Sequence, residues 1–231
     1  MRLGSQRICA LLLLIFPTWL VRWAVHAFGH SLERGAKVGF SWVCVERLEL
    51  ASTGKIGHFN RCAGAIRIAL QDSGHIGHFN TIVRARFIGG GPTSLTLGRV
   101  AKITSRHRLD LTCSISIGDF STVAGTASQL WTHGYVHAME GVSRYRIDGP
   151  IVIEANVYVG TMSFISMGVR IARGVIVGGG SSVAKSLLKP GLYVSGSLRQ
   201  LPRPADPDTR ADLEPIERSP SEDIAYRKKQ V

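Results

Sequence analysis

Residues 153–184 read IEANVYVGTMSFISMGVRIARGVIVGGGSSVA, and their period decides the fold. Counting in sixes from Ile153 gives Ile153, Val159, Ile165, Ile171, Val177 and Val183, every one β-branched and aliphatic. Four residues after the first five stand Val157, Ser163, Val169, Val175 and Ser181, all small or β-branched. Directly after the six-count position come the small residues Gly160, Ser166, Ala172, Gly178 and Ala184. A period of six is neither the 3.6 of a helix nor the 2.0 of a plain strand. It fits a short strand followed by a turn. Positions i and i−2 share parity, so both point inward, and the small residue sits beside the corner. Three such sides close a triangular coil of about 18 residues, and stacked coils make a solenoid in which each covers its neighbour's edge.

The same signal runs earlier with interruptions: Leu50, Ile56 and Cys62; Leu70, Ile76 and Ile82; Leu97, Ile103 and Leu109; Ile117 and Val123. Ile56-Gly57-His58-Phe59-Asn60 returns as Ile76-Gly77-His78-Phe79-Asn80, one coil and a small bulge later. The expected organisation is an apolar or amphipathic helical segment over 1–37, an all-β solenoid over 38–200 and a flexible, charged, proline-containing tail over 201–231. The clean repeat breaks at 124–150, and an excursion from a rigid scaffold is where a functional loop belongs. His133 and His137 lie in it; His58, His75, His78 and His107 read as stacked surface residues on the coils.

Composition agrees. Glycine is abundant at 26 of 231 residues, aromatic content is 7%, and 45% of the chain is apolar, which favours tight turns and small aliphatic cores over a helical bundle. The formal net charge is +12. The tail from Pro202 holds six Lys/Arg and seven Asp/Glu, leaving 22 basic and nine acidic residues in the body. A positive body suits a phosphorylated cofactor or a membrane surface. No nucleic-acid-binding motif and no basic block of five or more accompanies it, so nucleic acid is not expected. Cys9, Cys44, Cys62 and Cys113 are scattered, with no CxxC pair, and read as small apolar residues rather than a disulfide framework or a zinc site.

Residues 8–28 are strongly apolar and admit three readings: a secretory signal, weakly supported by Val25-His26-Ala27; a membrane span, opposed by Pro17 and Arg22; and an amphipathic helix. The third is preferred, because Trp19, Arg22, Trp23 and His26 recur at three- and four-residue spacing with interfacial character. A cap on the core and a peripheral membrane contact both remain open.

The repeat resembles that of the hexapeptide-repeat acyltransferases, in particular the group of maltose, galactoside and xenobiotic acetyltransferases and polysaccharide O-acetyltransferases. The likeness is good over the second half of the chain and loose over the first. It implies a left-handed parallel β-helix, a handedness that general rules of chain connection would not supply. It implies a catalytic histidine at Thr132-His133-Gly134, acting as general base; His137, four residues away, is its rival, and Glu140 or a backbone carbonyl is the candidate partner that orients it. It implies acetyl-CoA as acyl donor without a metal, and a sugar or glycolipid hydroxyl as acceptor, as in surface polysaccharide synthesis. A homotrimer and a cytoplasmic location, peripheral on the inner membrane face, complete the expectation. Carried over by position, cofactor contacts fall on Gly160 and Thr161 in Tyr158-Val159-Gly160-Thr161. They continue with Gly179, Ala184 and Lys185 in the stretch 178–185, and with Arg199 and Arg203 in an altered C-terminal signature where Gln200 replaces the usual base. Two other readings stand beside this one. A gamma-carbonic-anhydrase-like zinc enzyme would require His107 or another residue as third ligand beside His133 and His137. A non-catalytic scaffold would keep the solenoid alone.

Overall fold

The computed structural model describes residues 3–85, 91–142, 144–196, 199–201, 211, 213–216 and 225–228. Its body is a parallel β-helix of triangular section. On the first face Leu32, Leu50, Leu70, Leu97, Ile117, Ile153 and Ile171 stack in register. Val38, Ile56, Ile76, Ile103, Val123, Val159 and Val177 do so on the second. Val43, Cys62, Ile82, Leu109, Leu130, Ile165 and Val183 form the third. All 21 point inward and are buried in one continuous core. Burial of an aliphatic side chain is worth about 1.5–3 kcal/mol, so these rows hold the stack together.

The corners are equally regular. Phe59, Phe79, Arg106, Ala127 and Met162 turn the chain between the second and third faces with φ between 56° and 61°. Ser73, Val100, Phe120 and Asn156 do the same between the first and second, with φ between 56° and 60°. A left-handed conformation costs a non-glycine residue about 1–2 kcal/mol, and the coil above and below fixes each one. Inside the second-to-third corner runs a polar ladder. Asn80 N donates to Asn60 Oδ1 at 2.8 Å, His107 N to Asn80 Oδ1 at 2.9 Å, Ser128 N to His107 Nδ1 at 3.1 Å and Ser163 N to Ser128 Oγ at 3.2 Å.

His107 is therefore not a surface residue, contrary to the sequence reading. It is 1% exposed, its Nε2 lies 2.8 Å from Thr104 Oγ1, and burial pushes its pKa down to about 4. His58 and His78 do stack outside, with ring centroids 5.5 Å apart, and Phe59 covers Phe79 beside them. The excursion is also shorter than 124–150. Gln129–Trp131 is an ordinary third-face strand. The turn before it carries one extra residue, which moves Leu130 out of the count of six. The true insertion is a hairpin, His133–His137 paired antiparallel with Arg144–Asp148, its base closed by Gly149 N donating to Thr132 O at 2.9 Å.

At the N-terminus, helices Leu3–Ile15 and Thr18–Ala27 meet at Pro17. Cys9, Leu13, Val21 and Val25 plug the open end of the core. The first coil opens at Ser31–Leu32, ahead of position 38. Neither helix is long and apolar enough to cross a membrane. At the other end Gly191–Val194 pairs antiparallel with Arg199–Leu201. In the segment read as a flexible tail, Leu213–Ile216 pairs with Ala225–Lys228, so regular backbone structure occurs there; Arg203 lies outside the described residues. Cys9, Cys44 and Cys62 are buried and Cys113 partly so, all unbridged.

Candidate functional site

The corner between the third and first faces carries the hairpin, and the chemistry gathers at its base. Strand Arg108–Asp110 lies one coil away from Gln129–Trp131, with Asp110 opposite Trp131. That register brings the Asp110 carboxylate under Thr132 and His133. Asp110 Oδ2 is 2.8 Å from His133 Nδ1 and accepts the Thr132 hydroxyl at 2.8 Å. The backbone N–H groups of Thr112 and Thr132 each reach Oδ2 at 3.3 Å. The Thr112 hydroxyl donates to Oδ1 at 3.1 Å and lies 3.1 Å from His133 Nδ1. Asp110, Thr112 and Thr132 are buried, whereas the imidazole is partly open. A carboxylate only accepts, so the proton of the His133 contact belongs to Nδ1, and Nε2 keeps its lone pair. That is the tautomer a general base needs. Trp131 and Tyr135 meet the ring edge-on, with centroids 5.5 and 5.9 Å away, and fix its plane.

Asp110 was missed in the sequence. Glu140 and a backbone carbonyl were the expected partners, yet Glu140 is exposed at the far end of the hairpin and the carboxylate comes from the preceding coil. The discoverable signal was an acid directly after an inward leucine, one coil before the Thr-His pair. His137 is exposed and pairs with Arg144, four residues along an extended strand from His133; at about 3.3 Å per residue the two are on the order of 13 Å apart. Cys113 sits beside the cluster, its N–H donating to Thr132 Oγ1 at 2.9 Å. Burial, then Asp148 and Asp110, push its thiol up and away from a nucleophilic thiolate.

The residues carried over as cofactor contacts divide between two edges of the prism. Gly160, Thr161 and Gly179 share the second-to-third corner. There a Cβ on Gly160 would stand 2.5 Å from Gly179 N, and one on Gly179 would stand 3.2 Å from Thr161 Cγ2. The coils pass closely here: Gly160 is buried beneath Gly179, while Thr161 and Gly179 are exposed. Ala184 and Lys185 lie exposed on the His133 edge, since Leu130, Ile165 and Val183 are in register. A single chain does not bring the two sets together; a face of roughly six residues, on the order of 20 Å, separates them. Arg199 is in the C-terminal strand, next to Gln200, whose side chain donates to Pro190 O at 2.9 Å. His107 has both ring nitrogens engaged inside the coil, which removes it as a third zinc ligand.

No protein-family model and no curated protein matches the sequence. Among solved structures the chain is similar to the polysialic acid O-acetyltransferase OatWY, at 14% identity and a TM-score of 0.54, over 75% of this chain and 84% of that one. It is also similar to the polysialic acid acetyltransferase NeuO (17% identity, 79% and 85% covered, TM-score 0.46). A third is the hexapeptide-repeat acetyltransferase VCA0836 of Vibrio cholerae O1 biovar eltor (19%, 88% and 87%, 0.47). The first likeness establishes a shared fold, the parallel β-helix that the six-residue period predicts; the other two scores are too low to carry more.

Proposed function

We propose that the protein is an acyl-CoA-dependent acyltransferase acting on a sugar, with His133 as general base and Asp110 as the residue that orients it. The observation that carries this reading is the buried Asp110 carboxylate 2.8 Å from His133 Nδ1 at the base of a projecting hairpin. The fold likeness to a polysialic acid O-acetyltransferase points to a sugar hydroxyl as acceptor and an acetyl group as cargo. Trp131 and Tyr135 beside the imidazole fit the apolar face of a sugar ring.

In the reaction, His133 Nε2 takes the acceptor hydroxyl proton as the oxygen attacks the thioester carbonyl. The imidazolium that forms is held by Asp110. Collapse of the tetrahedral intermediate breaks the carbon–sulfur bond, and the proton passes from Nε2 to the departing coenzyme A thiolate. Direct transfer leaves no task for Cys113. Gly160, Thr161 and Gly179 would take the pantetheine arm along backbone, and Lys185 a phosphate. Because these lie on two edges, the complete site needs one copy's edge against another's, as in a trimer. The exposed Tyr135, Val136, Tyr145 and Ile147 of the hairpin are the apolar surface such an assembly would cover. An acyl-CoA donor puts the reaction on the cytoplasmic side.

The test is thiol release from acetyl-CoA, offered sugars bearing free hydroxyl or amino groups, by wild type, His133→Ala and His137→Ala. A loss of about 10²-fold or more at His133, and little at His137, is expected. Equal turnover by wild type and His133→Ala sinks the assignment.

A further inference from the structure

A capping helix normally buries one face and shows polar residues on the other. The cap here is apolar on both. Its inner side plugs the core, while Ile8, Leu11 and Ile15 of the first helix and Trp19, Leu20 and Trp23 of the second stand outward, Trp19 at 77% and Trp23 at 82% exposure. Ile8, Leu11 and Ile15, and Trp19 and Trp23, recur at three- and four-residue spacing, so each helix carries an outward apolar ridge and not scattered exceptions. The cap contains no acidic residue: Glu33 is the first in the chain.

Beside the ridge lies a second, independent feature. A groove of about 570 Å³ runs between Trp19 and Arg22 and the second face of the first coils, with Arg34, Lys37, Lys55 and His75 on its walls and Glu33 as its one acid. Lys37, Lys55, His75 and Lys102 are opposite one another in successive strands. Like charges directly opposite in a sheet destabilise it. Even so, no ion pair among the described residues involves Lys37, Lys55 or Lys102. The His75 imidazole is held below its usual range by burial, then by Lys55, His78 and Lys102. A row of lysines with no ion-pair partner among the described residues, bordered by Trp19, is complementary to a surface that is negative and apolar together. Thirteen helical residues span about 20 Å against about 30 Å of hydrocarbon, so the first helix can only lie in the plane.

We infer that the capped end of the solenoid docks on an anionic lipid bilayer, the helix ridge sinking into the interface and the Arg22–Lys37–Lys55 groove receiving lipid phosphates. The docking energy divides into apolar area from the ridge and about one charge contact each from the groove cations.

The experiment is flotation of the full chain with vesicles of neutral phosphatidylcholine and with vesicles containing phosphatidylglycerol, at low and high salt. Binding to the anionic vesicles, weakened by salt, is expected. It should fall about five-fold for each of Lys37→Gln and Lys55→Gln. Trp19→Ala/Trp23→Ala should lose roughly ten-fold or more, with circular dichroism unchanged, since both rings are already exposed. Three results would overturn the inference: no binding to anionic vesicles, equal binding to neutral ones, or a wild-type dimer in solution that the tryptophan variant makes monomeric, which would assign the ridge to a second copy.

Discussion

Replacing Asp110 by Asn tests the orienting role with the least disturbance. Four of the five donors around this carboxylate converge on Oδ2, and the fifth, the Thr112 hydroxyl on Oδ1, can rotate. An amide can therefore keep its oxygen at the Oδ2 position and turn its NH₂ toward Thr112, so the fold and the His133 tautomer survive while the charge is removed. A lower bound on the effect is the difference between a charged and a neutral hydrogen bond, about 1–1.5 kcal/mol. An upper bound is the attraction between imidazolium and carboxylate with charge centres about 4 Å apart, about 4 kcal/mol at an effective dielectric constant of 20. In the proposed reaction positive charge develops on the imidazole as the hydroxyl proton is transferred, so the loss falls on kcat: between about ten-fold and 10³-fold, with KM for acetyl-CoA unchanged. Steady-state thiol release, alongside thermal melts showing an intact fold, measures it. A folded Asp110→Asn protein whose kcat stays within two-fold of wild type would refute an orienting charge at this position.

Three further outcomes are expected. Lys185→Ala raises KM for acetyl-CoA while leaving that for acetyl-dephospho-CoA less affected, measured by the same assay. Gly160→Ala forces the coils apart at Gly179 N and lowers stability by about 1–3 kcal/mol, seen as a lower midpoint in denaturant. His107 takes up a proton near pH 4 when folded but near 6.5 when unfolded. The unfolded chain thus binds more protons between those values, and stability present above pH 6.5 drains away as pH falls toward 4. Melting temperatures across that window should drop for wild type and flatten for His107→Asn.

The aliphatic period between Ile153 and Val183 made the solenoid legible because one residue type per six positions has no other explanation. The inward rows were readable wherever coils keep a strict count, as at Ile165 and Val177. They blurred where a single extra residue precedes Leu130. His133 was singled out by motif, whereas Asp110 was not, since their contact depends on how far one coil is offset from the next. Coil length varies, so that offset is a property of stacking and not of local sequence. His107 misled for a related reason. A histidine in a polar-looking turn reads as solvated, but here it is one rung of an internal ladder whose other rungs, Asn60, Asn80 and Ser128, are equally polar. The two-edge division of the small glycine corner and Lys185 was likewise invisible until the faces were drawn.

The uniform step between coils gives the molecule a built-in ruler. Val43, Cys62, Ile82, Leu109 and Leu130 climb the third face one strand at a time. Four steps of about 4.8 Å set the His133 imidazole on the order of 2 nm above the capped end. That height is quantised: a coil inserted or removed below His133 would shift its reach by a fixed increment while leaving the Asp110 contact, which spans only adjacent coils, untouched. The height of the His133–Asp110 pair above the cap and the contact that makes the pair are thereby set by separate parts of the same stack.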